Sequence, residues 1–291
     1  MYATRNQRTI ASAVGVCGTG YWSGREVHVE FRPAAADTGI VFVRADLAPP
    51  RRIPAIIANH VDTPLRTNLR CGDATVEMTE HVMAALGGLQ IDNCEVWIDQ
   101  PEMPGCDGSS LPFVTVLDTA GIIQQNATRC ARFVNQVIRL GDEKSWIEAL
   151  PCCTGQTVLK CKLDFGAGNP IGRQVLEISL SPESFRQQLA SSRTFVLESE
   201  ARKLQAQGLG RQTTCRDLLV FGPDGPIDNQ LRFSDECVRH KLLDMVGDLA
   251  LSGCDVVGRV LAYRSGHRLN AKLVRAILAQ QGCQRKLRRC A

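Results

Sequence analysis

The chain has 291 residues, of which 22% are charged, 44% hydrophobic and only 5% aromatic, and its formal net charge is +4. That length exceeds the common single-domain size and points to one large or two medium domains, while the small net charge makes no case for a nucleic-acid partner. No run approaches the ~18 apolar residues of a spanning helix, and "MYATRNQRTIASAVGVCGTG" lacks the basic-then-apolar layout of a signal peptide, so a cytoplasmic protein is expected.

In chain order, "TIASAVGVCG", "EVHVEF", "GIVFVRA" and "RRIPAII" read as strands divided by Gly, Pro and Asp. A helix follows in "TEHVMAALGGL", with Thr79 placed to cap it and glycines placed to stop it. Then come a strand "NCEVWID", a turn "QPEMPGCDGSS" and a helix "LPFVTVLDTAG". The order begins again with expected strands in "ARFVNQVIRL", "SWIEAL", "QTVLKCKLDF" and "QVLEISL" and a helix in "SPESFRQQLA". After a long intervening segment come a helix in "DECVRHKLLDMVGDLALSG", a strand "DVVGRVLAYRS" and a last helix "NAKLVRAILAQ". This recurrence predicts a duplicated α+β architecture, with one domain over 1–126 and another over 127–291.

Several local features have plain readings. The thirteen cysteines are irregularly spaced, form no C-x-x-C pair, and are read as small buried hydrophobes in a reducing compartment. The run "QRKLRRC" reads as a solvated tail. The glycines of "GTGYWSG" precede a strand instead of a helix, so a hairpin turn is expected there and not a phosphate loop.

The helix in "RHKLLDMVGD" carries His240, Asp244 and Asp248 at intervals of four. At about 100° per residue, positions four apart drift by only about 40°, so the three share one stripe. Val238, Leu242, Met245 and Leu249 form the opposite, core-facing seam. One reading of the stripe is a solvated face. The other is a metal grip, since a histidine and an aspartate one turn apart can share a divalent ion.

A zinc site needs a third ligand, and there are only five histidines. His28 alternates with apolar residues on a strand and is expected to face solvent, and His60 sits in an expected loop. His81 lies in the first turn of a helix, directly after Glu80, and His267 follows "YRSG" where a strand meets a helix, a place suited to an exposed functional side chain. His81, His240 and Asp244 would complete a ligand set with Glu80 beside it as a base and His267 as an acid. Spacing alone leaves the grip and the solvated face both open.

The motifs "TEHVMAALGGLQIDN", "DGSSLPF", "SRTF", "RHKLLDMVGDL" and "SGHRLN" together resemble the zinc-dependent UDP-3-O-acyl-N-acetylglucosamine deacetylases, in order from about residue 8 to residue 280. The resemblance implies two similar α+β domains, each a sheet with two packed helices, the helices sandwiched between the sheets and the active site at their junction. It implies zinc held by His81, His240 and Asp244, with Glu80 as the base that activates water. His267 then stabilises the oxyanion and protonates the leaving amine, oriented by Asp248, and Thr194 helps hold the oxyanion. Phe195 and Lys241 fall on substrate-contacting positions, the lysine toward the nucleotide diphosphate. The implied reaction removes the N-acetyl group of UDP-3-O-(3-hydroxyacyl)-N-acetylglucosamine, the committed step of lipid A synthesis.

The chain departs from the family in two places. "GYWSG" puts Trp22 where many members carry a histidine, so no polar catalytic role is expected there. An insert near 194–221, expected to contribute to the passage for the acyl chain, reads "GLGRQTTCRDLLVF" and puts Arg211 and Gln212 where a Gly-Gly-Ser-rich turn is usual. A zinc amidase for another acylated sugar nucleotide and a non-catalytic binding protein on the same fold are the alternatives, though a binding protein would be expected to have lost a ligand or the base. A monomer, transient contact with the inner membrane to collect an amphiphilic substrate, and no fused second enzyme are further expectations.

Overall fold

A computed structural model describes the backbone of residues 5–153 and 155–287 and the side chains of these up to residue 280. The chain opens with β1 (Asn6–Ile10), β2 (Val14–Thr19), β3 (Glu26–Pro33), β4 (Ile40–Arg44) and β5 (Arg51–Pro54). A 3-10 turn at Ile57–Asn59 leads into short strands β6 (His60–Val61), β7 (Asn68–Cys71) and β8 (Ala74–Val76). Helix α1 (Glu80–Gly88), β9 (Cys94–Ile98) and α2 (Leu111–Ala120) follow. Next come β10 (Ile122–Thr128), β11 (Ala131–Phe133), β12 (Ile138–Gly141), β13 (Trp146–Leu150), β14 (Thr157–Asp164) and β15 (Arg173–Ser179). After α3 (Pro182–Gln188) lie β16 (Phe195–Leu197), α4 (Glu198–Ala206), β17 (Leu219–Gly222) and β18 (Gly225–Pro226). Helix α5 (Glu236–Ala250), β19 (Asp255–Tyr263) and α6 (His267–Leu287) complete the chain.

The two large sheets have the same wiring. One runs β2-β3-β9-β4-β5 and the other β12-β13-β19-β14-β15, with β11 added beside β19. In both, the last strand in chain order (β9 or β19) inserts centrally, antiparallel to one neighbour (β3 or β13) and parallel to the other (β4 or β14). The duplication expected from element order is therefore present in the topology. Each half also carries a small three-stranded sheet between its outer strands and its central helix: β6-β7-β8 before α1, and β16-β17-β18 before α5.

Period-two alternation explains the outer layers. On β3, Val27, Val29 and Phe31 point inward while His28 is exposed, as its strand pattern predicts. The helices fill the space between the sheets, giving the α+β sandwich that was expected. Helix α1 packs along α5, α5 lies on β14 and β15, α6 on β12 and β13, and α2 on β2. With few aromatics, aliphatic residues around Phe31, Phe42, Phe113 and Phe185 make up the core. At its centre α1 and α5 almost touch. A Cβ on Gly247 would come within 2.2 Å of the Glu80 carbonyl oxygen, so only glycine permits this approach.

Some local expectations are corrected. "TIASAVGVCG" is two strands, because the chain turns a corner between β1, paired with β10, and β2, in the first large sheet. There Ala11 donates its N–H to the Gly121 carbonyl. "ARFVNQVIRL" also divides: β11 pairs with the start of β19, while β12 pairs with β13. "RRIPAII" stops being a strand at Pro54, and Ile57 opens the 3-10 turn. The "GTGYWSG" turn does join two hairpin strands, β2 and β3. Of the described free cysteines only Cys94, Cys161, Cys237 and Cys254 are buried, so most are not the core residues expected. The side chains of "QRKLRRC" lie outside the described residues.

A knot of four charges ties the seam between the halves. The Arg5 guanidinium donates to both oxygens of Asp92 (2.7 and 2.8 Å) and to both of Asp255 (2.8 and 2.7 Å). Arg129 joins Asp92 at 2.9 Å and Asp255 at 3.3 Å. This knot links the residue before β1, the loop after α1, the β10–β11 link and the start of β19.

Candidate active site

Where α1 runs against α5, His81 from the first turn of α1 meets His240 and Asp244 from successive turns of α5. His240 Nε2 lies 3.3 Å and His81 Nε2 4.0 Å from Asp244 Oδ1, and the imidazoles stand edge to face at 5.1 Å. One ligand-capable atom of each residue falls within 4.8 Å of the others, and the three form the one such His/Cys/Asp/Glu group among the described residues. The ladder is therefore not a wet face: His240, Asp244 and Asp248 are only 1%, 3% and 1% exposed. His240 Nδ1 donates to the Ser192 carbonyl at 3.1 Å, which aims Nε2 at Asp244.

The electrostatics suit a divalent cation. Burial, together with the neighbouring His240, drives the His81 pKa down to about 3, and burial also lowers that of His240, so both imidazoles are neutral. Burial alone would raise the Asp244 pKa, but the positive charges of Lys241 and His267 outweigh it and hold the carboxylate ionised. Asp244 Oδ1 and His81 Nδ1 are buried without a hydrogen-bond partner, an arrangement that normally carries a desolvation penalty. Two neutral imidazoles and a carboxylate with an orphaned buried oxygen fit an open three-ligand site for zinc.

Glu80 and His267 flank this group. Burial raises the Glu80 carboxyl to about 7, with nearby His267 pulling the other way. Its Oε2 accepts the Thr67 backbone N–H at 2.9 Å. Burial would lower His267, yet Asp248 and Asp244 override it and raise its pKa to about 9. His267 Nδ1 lies 2.9 Å from Asp248 Oδ2, while Asn270 Nδ2 donates to the same oxygen at 2.8 Å. The side chain expected to be exposed is only 9% so. Thr79 holds the N-cap position of α1 as expected, but its side chain makes no capping bond: its hydroxyl instead donates to the Thr67 carbonyl at 3.0 Å.

These groups open into a cleft of about 980 Å³ whose walls include Thr194, Phe195 and Lys241. Lys241 Nζ donates to Asp244 Oδ2 at 2.8 Å and lies 5.7 Å from the Phe195 ring centroid. Phe195 stands edge-on to His240 at 6.3 Å. The segment from Ser192 through Thr194 into β16 at Phe195 is fixed by a buried ion pair between Arg193 and Glu236, the first residue of α5, at 2.8 Å. Farther along, Leu204, Leu209, Leu218 and Val220 make an apolar limb of the same cleft. Trp22 stands in its wall with the Arg66 guanidinium 4.5 Å above the ring, and Arg66 in turn pairs with Glu77 at 3.0 Å. The Gln212 side chain packs against Gly24, in the hairpin turn that also carries Trp22.

The structure thus brings His81, His240, Asp244, Glu80, His267, Lys241, Phe195 and Thr194 to one cleft, with Asp248 hydrogen-bonded behind His267. His28 lies on the exposed face of β3, and His60 belongs to the short strand β6, not to a loop. Sequence reasoning missed Thr67, Asn270, Ser192 and the Arg193–Glu236 pair. Asn270 had a signal, three residues after His267 on one helix. The other links join distant segments and had none.

The family model for UDP-3-O-acyl N-acetylglycosamine deacetylase matches residues 7–279. Among similar proteins is a UDP-3-O-acyl-N-acetylglucosamine deacetylase of Anaeromyxobacter sp. (strain Fw109-5), 40% identical over 97% of this chain and 92% of its own length. Namesakes from Myxococcus xanthus (strain DK1622) and Brucella ovis are 36% and 38% identical, covering 96% and 94% of this chain and 88% and 96% of their own lengths.

Proposed function

The chain belongs to the UDP-3-O-acyl N-acetylglycosamine deacetylase family and is an amidohydrolase, and from that premise we propose that it is a zinc enzyme. Its reaction is removal of the N-acetyl group from UDP-3-O-(3-hydroxyacyl)-N-acetylglucosamine, releasing acetate, as the committed step of lipid A biosynthesis in the cytoplasm. The observation that carries this reading is the junction of His81 with His240 and Asp244, flanked by Glu80 and His267 at the neck of a cleft.

In this reading His81, His240 and Asp244 hold zinc. The bound ion supplies polarisation of the amide carbonyl and acidification of water. Glu80, with Oε2 engaged by the Thr67 amide, leaves Oε1 to take a proton from the attacking water. His267, charged at neutral pH and bound through Nδ1 to Asp248, offers its Nε2 proton to the departing nitrogen. The same positive charge, with the Thr194 hydroxyl, meets the negative charge that develops on the amide oxygen. Water and amide become acetate and a free amino sugar. Lys241 is a cation for the nucleotide diphosphate and Phe195 a substrate contact. The apolar limb built from the 194–221 insert takes the acyl chain, with Trp22 and Arg66 in the cleft wall.

The test is acetate release from substrates of several acyl lengths and from UDP-N-acetylglucosamine without an acyl chain, with and without chelator. Turnover is expected to need the acyl chain and to vanish with chelator. Equal turnover without the acyl chain overturns the lipid A assignment in favour of a broader sugar-nucleotide amidase, and chelator-insensitive turnover overturns the zinc reading.

A further inference from the structure

We infer that Thr67 is a positioning residue that ties together the two proton-handling arms of the site, Glu80 on one side and the Asp248–His267 pair on the other; this rests on the deacetylase reading above. Thr67 lies between β6 and β7 and is 1% exposed. Its hydroxyl oxygen is 2.6 Å from Asp248 Oδ1 and 3.0 Å from His267 Nδ1. An ionised carboxylate has no proton to give, so the single hydroxyl proton points to Asp248. The threonine oxygen then has only lone pairs to offer His267, and Nδ1 must carry hydrogen, shared between Thr67 Oγ1 and Asp248 Oδ2. The other ring nitrogen, Nε2, is left facing Asp244 at 3.8 Å.

The backbone of the same residue serves the opposite arm. Its N–H donates to Glu80 Oε2 at 2.9 Å, and its carbonyl accepts from the Thr79 N–H and hydroxyl, both at 3.0 Å. Thr79 immediately precedes Glu80, so the carboxylate is located from both ends of one contact. Among the described residues no other is hydrogen-bonded to both Glu80 and Asp248. Asn270, itself bonded to Ser265, adds a third donor to Asp248 but reaches only that arm. A valine would keep the shape of Thr67 while leaving Asp248 Oδ1 buried without a donor, so the hydroxyl is the separable part of the device.

The test compares Thr67→Val and Thr67→Ser in the full-length zinc-loaded chain. Thr67→Val is expected to lower kcat by about tenfold to a hundredfold, as for loss of one hydrogen bond to a charged group, with KM within about twofold and zinc content unchanged. Thr67→Ser should restore kcat to within about threefold. A Thr67→Val kcat equal to wild type, a loss confined to KM, or a serine variant no better than valine overturns the assignment. Independently, 15N NMR of histidine-labelled metal-free protein reads the His267 ring, assigned by the signals lost in His267→Gln. Its Nδ1 signal should shift in Thr67→Val and return in Thr67→Ser, and an identical signal in all three overturns the tie. Thr67→Ala removes the hydroxyl without adding bulk and gives the same readings should the valine chain not fold. The spectrum needs no turnover, so an inactive wild-type chain would refute the deacetylase reading while the NMR still decides the role of Thr67.

Discussion

Asp248 receives three donors, from Thr67, His267 and Asn270, and it is the charge of this carboxylate, with that of Asp244, that overcomes burial and makes the histidine unusually basic. A group whose folded pKa is raised keeps its proton past its ordinary value, so His267 should remain charged in metal-free protein until the pH approaches about 9. Asp248→Asn removes the largest favourable charge and should move that titration downward, toward or below 6.5. NMR titration of the His267 ring checks this, and an unmoved midpoint would refute the pairing. At this scale the sequence was legible wherever chemistry repeats with a period. The spacing of His240, Asp244 and Asp248 showed the stripe, and family resemblance, not spacing, chose between metal grip and wet face. Thr67 was illegible because its contacts lie 13, 181 and 200 residues away along the chain. Thr79 looked like a cap, yet its hydroxyl is drawn to the Thr67 carbonyl.

Among elements, α1 and α5 form the pair whose spacing sets the site. Gly247 lies between Asp244 and Asp248, against the backbone of Glu80 and Ala84, so a methyl group there must push the helices apart. Gly247→Ala is expected to weaken metal binding by at least about tenfold without altering any ligand; competition against a graded chelator measures it, and unchanged affinity would show that the helices can adjust. The start of α5 is held differently, by Glu236 buried against Arg193. Removing one partner strands the other charge, so Glu236→Gln should cost about 3–5 kcal/mol in urea unfolding. A loss below about 1 kcal/mol would mean that the Asn229 side chain and Gln230 carbonyl, which also bind Arg193, suffice. Helix and strand identities were readable from apolar period. The corners were not, since a strand that changes partner, as at Ala11 or after Phe133, keeps the same local composition.

For the whole molecule, the recurring order of elements was a sound guide because each half must bury one face of its sheet, and the same wiring solves the problem twice. What no local pattern revealed is the seam itself, where Arg5, Asp92, Arg129 and Asp255 meet from four separate segments. His81 belongs to one half, and His240 and Asp244 to the other. An ion held among them acts as a crosslink across that seam, and its binding free energy adds to folding stability. Chelation should therefore lower Tm by several degrees in a melting experiment, and zinc should restore it. An unchanged Tm would mean that the seam is already closed by packing and charge alone.

That partition of ligands has a consequence beyond catalysis. The metal-free chain is also the one that opens more often, and chains that open are the ones proteases cut. On the zinc reading proposed above, the lifetime of this protein in a cell should follow zinc supply: a starved cell would lose the enzyme as well as its activity, and resupply would act first on newly made chains.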